Sequence, residues 1–304
     1  ANKHSLKGSM IALKKGLSYA IYIIFHPFDG FWDLKHEKKG NLLKVWIKRP
    51  SSISGIINIL KGKLDFKVPV KTNLEIVNSS GNVNIRGTAG KIFDIQTSSG
   101  DLIIEDRSGN AKAKTSSGNL KITNLDGSLH ARTSSGDQQI HNITDEIKTI
   151  SSSGNIYINN AESSADIKTS SGDQEINHIK GKVLTVASSG NVIFNNGENG
   201  IKGKTSSGNI IFSNVTGDFS LVTTSGNIKG KHVQLTKNSY FHTSSGDIKI
   251  MLLNDFDQLS FDLSATSGDF NINGTRAEDE FSRTGGKIMI KGISSSGDQT
   301  YIKQ

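Results

Sequence analysis

The chain contains no cysteine, which removes disulfide staples and thiolate metal sites and leaves the redox compartment unread. Proline is scarce as well: Pro27, Pro50 and Pro69 are the only three, all before residue 70. Proline withdraws a backbone donor from a β-ladder, so everything after Pro69 can pair without interruption. Aromatic residues make up 7 % of the chain. The apolar run Tyr19-Ala-Ile-Tyr-Ile-Ile-Phe25 falls well short of the roughly 20 residues that span a bilayer as a helix. No small-residue cleavage site follows it, which argues against a secretion signal.

Basic charge is also missing from most of the chain, despite a net charge of +8. Residues 1–50 carry 10 Lys/Arg against 3 Asp/Glu, and the remainder carries 26 against 25. The long second part is therefore near neutral, and its outward Lys residues are diluted by Asp and Glu. A nucleic-acid-binding rod needs a basic stripe, so no nucleic-acid partner is expected.

What the chain has in abundance is Gly, 32 residues of it, and the spacing is regular. Thr115-Ser-Ser-Gly118 returns as Thr133-Ser-Ser-Gly136 after 18 positions. The closing Gly falls at Gly81, Gly100, Gly118, Gly136, Gly154, Gly172, Gly190, Gly208 and Gly226, then more loosely at Gly246, Gly268, Gly286 and Gly297. A fixed period over most of a chain signals a repeat architecture. From Gly118, apolar residues stand at Leu120 and Ile122, at Leu125, and at Leu129 and Ala131. The same offsets yield Leu102 and Ile104, Ile156 and Ile158, Val192 and Phe194, Ile210 and Phe212. Alternation with period 2 marks strands with one buried face. Two such short strands cannot bury a face alone but can when stacked on copies of themselves.

The expected fold is therefore all-β: a parallel β-solenoid with 18-residue coils and a rod length on the order of 60 Å. The inward positions do not follow the six-residue period of left-handed hexapeptide helices, so right-handed coiling is expected. Gly100, Gly118, Gly136, Gly154, Gly172, Gly190 and Gly208 are assigned to structural turns, where Gly takes positive φ without penalty. After the Gly come Asn82, Asp101, Asn119, Asp137, Asn155, Asp173 and Asn191. Neutral Asn between Asp residues keeps like charges about 10 Å apart instead of about 4.8 Å.

The expected domains are an N-terminal basic and aromatic segment, 1–50, and the solenoid, 51–304. The Gly8-Ser9-Met10 junction leaves open whether the native chain starts at Met10. Residues 10–40 read as a short helical or irregular cap on the first coil, or as a membrane-interface element through Tyr19, Tyr22, Phe25, Phe28, Phe31 and Trp32. Residues 51–77, with alternating Leu64, Phe66 and Val68, read as irregular first coils. Insertions near 232–238 and 252–258 map to loops.

Sites of chemistry are sparse. One Gly stands where a Gly-Gly-x-Gly-x-Asp calcium turn needs three. His130, His141, His178, His232 and His242 lack metal-ligand spacing. Asp101, Asp137 and Asp173 have a separation suited to paired carboxylates, but turn formation and charge alternation already account for them. No Gly-x-Ser-x-Gly elbow precedes a helix. No catalytic, metal or cofactor residue is assigned, and the chain is expected not to be an enzyme.

Two resemblances add to this. His26-Pro-Phe-Asp-Gly-Phe-Trp-Asp-Leu-Lys-His-Glu-Lys-Lys-Gly40 resembles the segment before the first membrane helix of Yip1-family membrane proteins, although the helices that follow in that family are missing here. The Thr-Ser-Ser-Gly-Asn/Asp units at Thr115, Thr133, Thr169, Thr205 and Thr243 resemble a bacterial β-strand-repeat family of DUF4097 type described as adhesins. That likeness covers residues 74–302. It implies a single β-solenoid and a role at the bacterial cell envelope, in surface adhesion or envelope-stress response, and it supplies no catalytic residues. The expected function is a non-enzymatic envelope protein whose rigid surface binds a glycan, peptide or protein, with peripheral membrane contact through the N-terminal segment. The alternative is a β-helix polysaccharide lyase or hydrolase. The expected location is the bacterial envelope or surface, with the cytoplasmic face of the membrane as the alternative.

Overall fold

The computed structural model describes residues 9–13, 21–27, 33–39, 42–48 and 62–304. The chain divides into two compact units, Ala1–Thr72 and Asn73–Gln304.

In the first unit, β1 (Ser9–Leu13) pairs antiparallel with β2 (Ile21–Pro27). A second antiparallel pair joins β3 (Asp33–Lys39) to β4 (Leu42–Lys48). The described part of the N-terminal segment is therefore strand, where a helical or irregular cap was expected. The β-branched and aromatic Ile21-Tyr-Ile-Ile-Phe25 favours extended backbone over helix. The strand β5 (Gly62–Lys67) also departs from expectation. Instead of forming an irregular first coil it lies antiparallel on β2, with Phe25 opposite Leu64. Tyr22 and Phe25 belong to β2; Tyr19, Phe28, Phe31 and Trp32 lie outside the described residues, as does the expected boundary after residue 50.

The second unit is a parallel β-solenoid. Each regular coil contributes two strands, and each strand pairs with its counterpart one coil above and one below. The first column stacks Ile104, Ile122, Ile140, Ile158, Ile176, Phe194 and Phe212 in direct register. The second stacks Ile95, Ala113, Ala131, Thr149, Ile167 and Thr185. These inward residues are buried and form one continuous core with the Leu, Val and Phe residues beside them. Burying each aliphatic side chain contributes about 1.5–3 kcal/mol relative to exposure. Phe212 stacks on Phe219 at 5.2 Å and on Phe241 at 6.4 Å. Room for these rings comes from glycine: a Cβ on Gly230 would stand 2.6 Å from the Phe212 ring.

The turn glycines are explained by stacking, not by φ. Gly100, Gly118, Gly136, Gly154, Gly172, Gly190 and Gly208 are absent from the positive-φ residues. A Cβ on Gly118 would meet the Gly100 carbonyl oxygen at 2.0 Å, and one on Gly136 would meet that of Gly118 at 1.9 Å. The corner of each coil sits so close to the next that no side chain fits. The Thr of each Thr-Ser-Ser-Gly is buried there. Thr115 Oγ1 accepts the Gly118 N–H at 3.1 Å, and Thr205 Oγ1 donates to the Gly190 carbonyl at 3.1 Å.

Positive φ appears at the other corner, six residues after the Gly. Asp106, Asn124, Asn142, Asn160, His178, Asn196, Asn214 and His232 all have φ between 53° and 64°. Asn, Asp and His tolerate the left-handed region better than other non-Gly residues. Here the left-handed turn is carried by residues other than Gly, which the Gly spacing does not mark.

The coils do not stack in simple chain order at the C-terminal end. Ser239–Ser245 pairs with Ile288–Ser296, which in turn pairs with Leu259–Ile272. Gln299–Lys303 likewise lies between Ile248–Leu252 and Phe270–Ile272. The chain thus skips one level, lays down Leu259–Ile272, and returns through the antiparallel Thr275–Arg283. Its last coil then fills the vacant level. The loose Gly spacing after Gly226 reflects this detour.

Candidate functional site

Among the described residues the outer surface is built from side-chain ladders. The residue after each turn Gly forms the first. The Asp101 N–H donates to Asn82 Oδ1 at 3.0 Å, and the Asn119 N–H to Asp101 Oδ1 at 2.9 Å. The series continues through Asp137, Asn155, Asp173, Asn191, Asn209, Asn227 and Asp247. Asp101, Asp137 and Asp173 are therefore each committed to a backbone N–H of the next coil. The left-handed corner forms a second ladder: Asn124 Nδ2 donates to Asp106 Oδ1 at 2.8 Å, Asn142 Nδ2 to Asn124 Oδ1 at 2.8 Å, and Asn160 Nδ2 to Asn142 Oδ1 at 2.9 Å.

Among the described residues a buried Gln replaces the usual Leu, Ile or Val at Gln138, Gln174 and Gln299. Gln138 is fully buried; its Nε2 donates to Thr133 Oγ1 and to the Ile150 carbonyl, both at 2.9 Å, and its Oε1 accepts from Thr149. Gln174 repeats this with the Val186 carbonyl at 2.9 Å and with Thr185. The shared Ser-Ser-Gly-Asp-Gln at Ser134 and Ser170 was the visible signal. A buried amide is tolerable because its partners satisfy it.

A groove of about 540 Å³ opens on the outer face of the first strand column. In register, Gln139, Tyr157 and Glu175 form one row, and His141, Asn159 and Asn177 form the next. Tyr157 is 36 % exposed, and its ring stands among amides, a carboxylate and imidazoles. Asn177 Nδ2 donates to Glu175 Oε1 at 3.1 Å, and His178 Nδ1 lies 3.3 Å from Asn159 Oδ1. Burial, aided by the charge of Lys121, holds the His141 pKa below its ordinary value. His141 is thus neutral at pH 7, able to donate from one ring nitrogen and accept at the other. His141 and His178, two coils apart in sequence, both line this groove. The grid combines one flat aromatic platform with many fixed donors and acceptors, a pattern suited to a polyhydroxylated ligand.

Among the described residues no three His, Cys, Asp or Glu side chains form a metal-binding group, and no helix is long and apolar enough to cross a membrane. The model of the Toastrack family, DUF4097, matches residues 54–167 and 144–301. Comparison with curated proteins and with solved structures finds no match. With the match extending over most of the chain, this protein belongs to the Toastrack DUF4097 family.

Proposed function

We propose that this protein is a non-catalytic, adhesin-type binding rod of the bacterial cell envelope, and that the groove centred on Tyr157 holds a carbohydrate segment of an envelope polymer. The observation that carries this reading is the exposed Tyr157 ring set in a grid of Gln139, His141, Asn159, Glu175 and Asn177. The C–H-rich face of a sugar ring packs on an aromatic plane while its hydroxyls meet the surrounding amides. Binding gathers from several modest contacts along stacked coils. The non-catalytic part of the reading is supported by the Asp ladder, whose carboxylates accept backbone N–H groups and so hold the coils together. In this reading the N-terminal segment from Tyr19 to Trp32 makes the membrane-interface contact.

Calorimetric titration of the full chain with N-acetylated and plain β-linked oligosaccharides tests the groove. Saturable binding that weakens at least tenfold in Tyr157→Ala, and not in Ile211→Ala, is the expected result. Equal binding by both variants, or none, would discard the groove as the site. Release of reducing ends or unsaturated products from the same saccharides would instead establish the lyase or hydrolase alternative. Flotation of the full chain with anionic liposomes, compared with a Tyr22→Ser/Phe25→Ser/Trp32→Ser variant, tests the membrane contact; identical behaviour removes it.

A further inference from the structure

The outer face of the second strand column departs from the charge rule that most of the solenoid obeys; on the first column Lys229 likewise stands directly on Lys249. Most other stacked charges are diluted or paired: Asp alternates with Asn, Lys168 meets Asp166 at 3.6 Å, and Lys182 meets Asp218 at 2.7 Å. Within the patch itself, among the described residues, only Lys112 is paired, with Asp94 at 2.7 Å. Between Asp94 and Asp166 the pattern changes. Lys112, His130 and Lys148 stack in register, and beside them Lys114 stands directly on Arg132. Lys114, Arg132 and Lys148 are exposed and make no ion pair among the described residues. Like charges placed directly opposite on neighbouring strands, with Cβ atoms about 5 Å apart, destabilise a sheet.

Two further observations fall on the half of the patch that carries Lys112, His130 and Lys148; Lys114 and Arg132 lie two residues farther along the same strands, outside the lining of the groove. A groove of about 420 Å³ opens there, lined by Lys91, Lys112, Ser128, His130 and Lys148, with Glu146 as its one carboxylate. Beneath it lies a buried cation without a counter-charge. Arg107 is 1 % exposed and lies over the Phe93 ring at 4.0 Å. Its guanidinium donates only to neutral oxygens: the Gly90 carbonyl at 2.7 Å, the Asn110 carbonyl at 2.8 Å and Thr88 Oγ1 at 3.2 Å. Phe93 and Asn110 also line the groove. A charge in low dielectric projects a stronger field than one in water, so Arg107 reinforces the surface cations from below.

From this we infer that the face from Lys91 to Lys148 binds a linear, base-free phosphodiester polymer, lying along the solenoid axis with about two successive phosphates over the three basic levels. Phosphate suits the donor set: Arg132 offers a planar fork, the Lys residues point charges, and Ser128 a hydroxyl. The outward residues of these coils favour a polyol phosphate over the other polyanions. Single-stranded nucleic acid is held by basic grooves that also present stacking aromatics. A membrane surface is held by basic faces bearing apolar or aromatic side chains that insert. Here the outward positions of the three strands are Lys112, Lys114, His130, Arg132, Lys148 and Ile150, with no aromatic among them and a single, half-buried aliphatic residue, Ile150. Asp94 and Asp166 close the patch at both ends, which limits the length of polymer engaged.

The test uses the full chain and a defined poly(glycerol phosphate) oligomer, with a thymidine oligonucleotide and phosphatidylglycerol vesicles as competing probes. Saturable binding of the oligomer is expected, weakened by added salt and at least tenfold weaker in Lys114→Gln/Arg132→Gln/Lys148→Gln. The variant should remain folded, with an unchanged or higher melting temperature, because it removes repulsion. Lys204→Gln, on the same column but farther along, and Tyr157→Ala should bind the oligomer as the parent does. No binding, unchanged binding by the triple variant, or tighter binding of the oligonucleotide or vesicles would each overturn the assignment.

Discussion

Substitution of Gly154 by Ala tests the reason for the repeat. The added Cβ would stand 2.0 Å from the Gly136 carbonyl oxygen, 2.5 Å from its carbon and 3.0 Å from the Asp137 nitrogen. Carbon and oxygen atoms pack comfortably only beyond about 3.2 Å, so the two coils must part by about 1 Å at this corner. Three inter-coil bonds cross it: the Ser153 N–H to the Ser134 carbonyl at 2.9 Å, the Asn155 N–H to Asp137 Oδ1 at 2.8 Å, and the Gln138 N–H to the Asn155 carbonyl at 2.9 Å. Lengthened by about 1 Å, all three pass beyond hydrogen-bonding range. At about 1 kcal/mol each, the expected loss is about 3 kcal/mol. Gly274→Ala is the control: its φ is +94° and nothing lies within 4 Å of the added Cβ, so only backbone strain of about 1–2 kcal/mol is expected. Urea unfolding measures both, and native-state hydrogen exchange should place the Gly154→Ala damage on amides 134–173, because solenoid coils interact mainly with their neighbours. If Gly154→Ala costs no more than Gly274→Ala, close stacking is not what demands the glycine.

Removing one half of a buried amide pair should cost more than removing both. Thr149→Val leaves Gln138 Oε1 without its hydroxyl donor and should lose about 1–3 kcal/mol, while Gln138→Leu/Thr149→Val should recover most of that in a urea-unfolding cycle. Arg107→Lys keeps the charge but cannot reach two carbonyls and a hydroxyl at once, so a loss of about 2 kcal/mol is expected by thermal melting. For His141, whose folded pKa lies below the ordinary 6.5, stability is fully present above that pH and is lost as pH falls through the folded value. Unfolding midpoints measured downward from pH 7.5 should fall below pH 6.5, and His141→Gln should flatten part of that fall. Truncation after residue 287 removes the level beneath Leu259–Ile272, so limited proteolysis should cut within 259–283 in the truncated chain and spare it in the full one.

The likeness of one coil to the next carries its own consequence for how such a chain is read. Ile122, Ile140 and Ile158 were identifiable as vertical neighbours from their offsets, and they pair in register. The Asn and Asp after each Gly were identifiable as a stacked series, and each accepts an N–H from the next coil. Periodicity reveals such features because every coil meets the same environment. Features confined to a few coils do not repeat along the chain and leave no such trace. The basic island belongs to this class: it spans three coils, and a near-neutral total hides it because Asp and Glu residues elsewhere in the chain balance it.

The 18-residue interval, the period-2 alternation and the missing prolines were enough to dictate parallel coils with an apolar interior, since only self-stacking buries strands this short. Three things were settled by tertiary packing alone. From Gly100 to Gly208 the turn glycine is required by a neighbouring carbonyl about 2 Å from the site of its missing Cβ, while the corner six residues on takes a left-handed backbone with Asn, Asp or His. The final coil slots between two earlier ones, because hydrogen-bonding edges left open by Ser239–Leu252 and Leu259–Ile272 can be satisfied by any strand that fits, whatever its place in the chain. Lastly, Tyr157 and the Lys114–Arg132 stack acquire their surroundings only when residues 18 positions apart become neighbours at strand spacing.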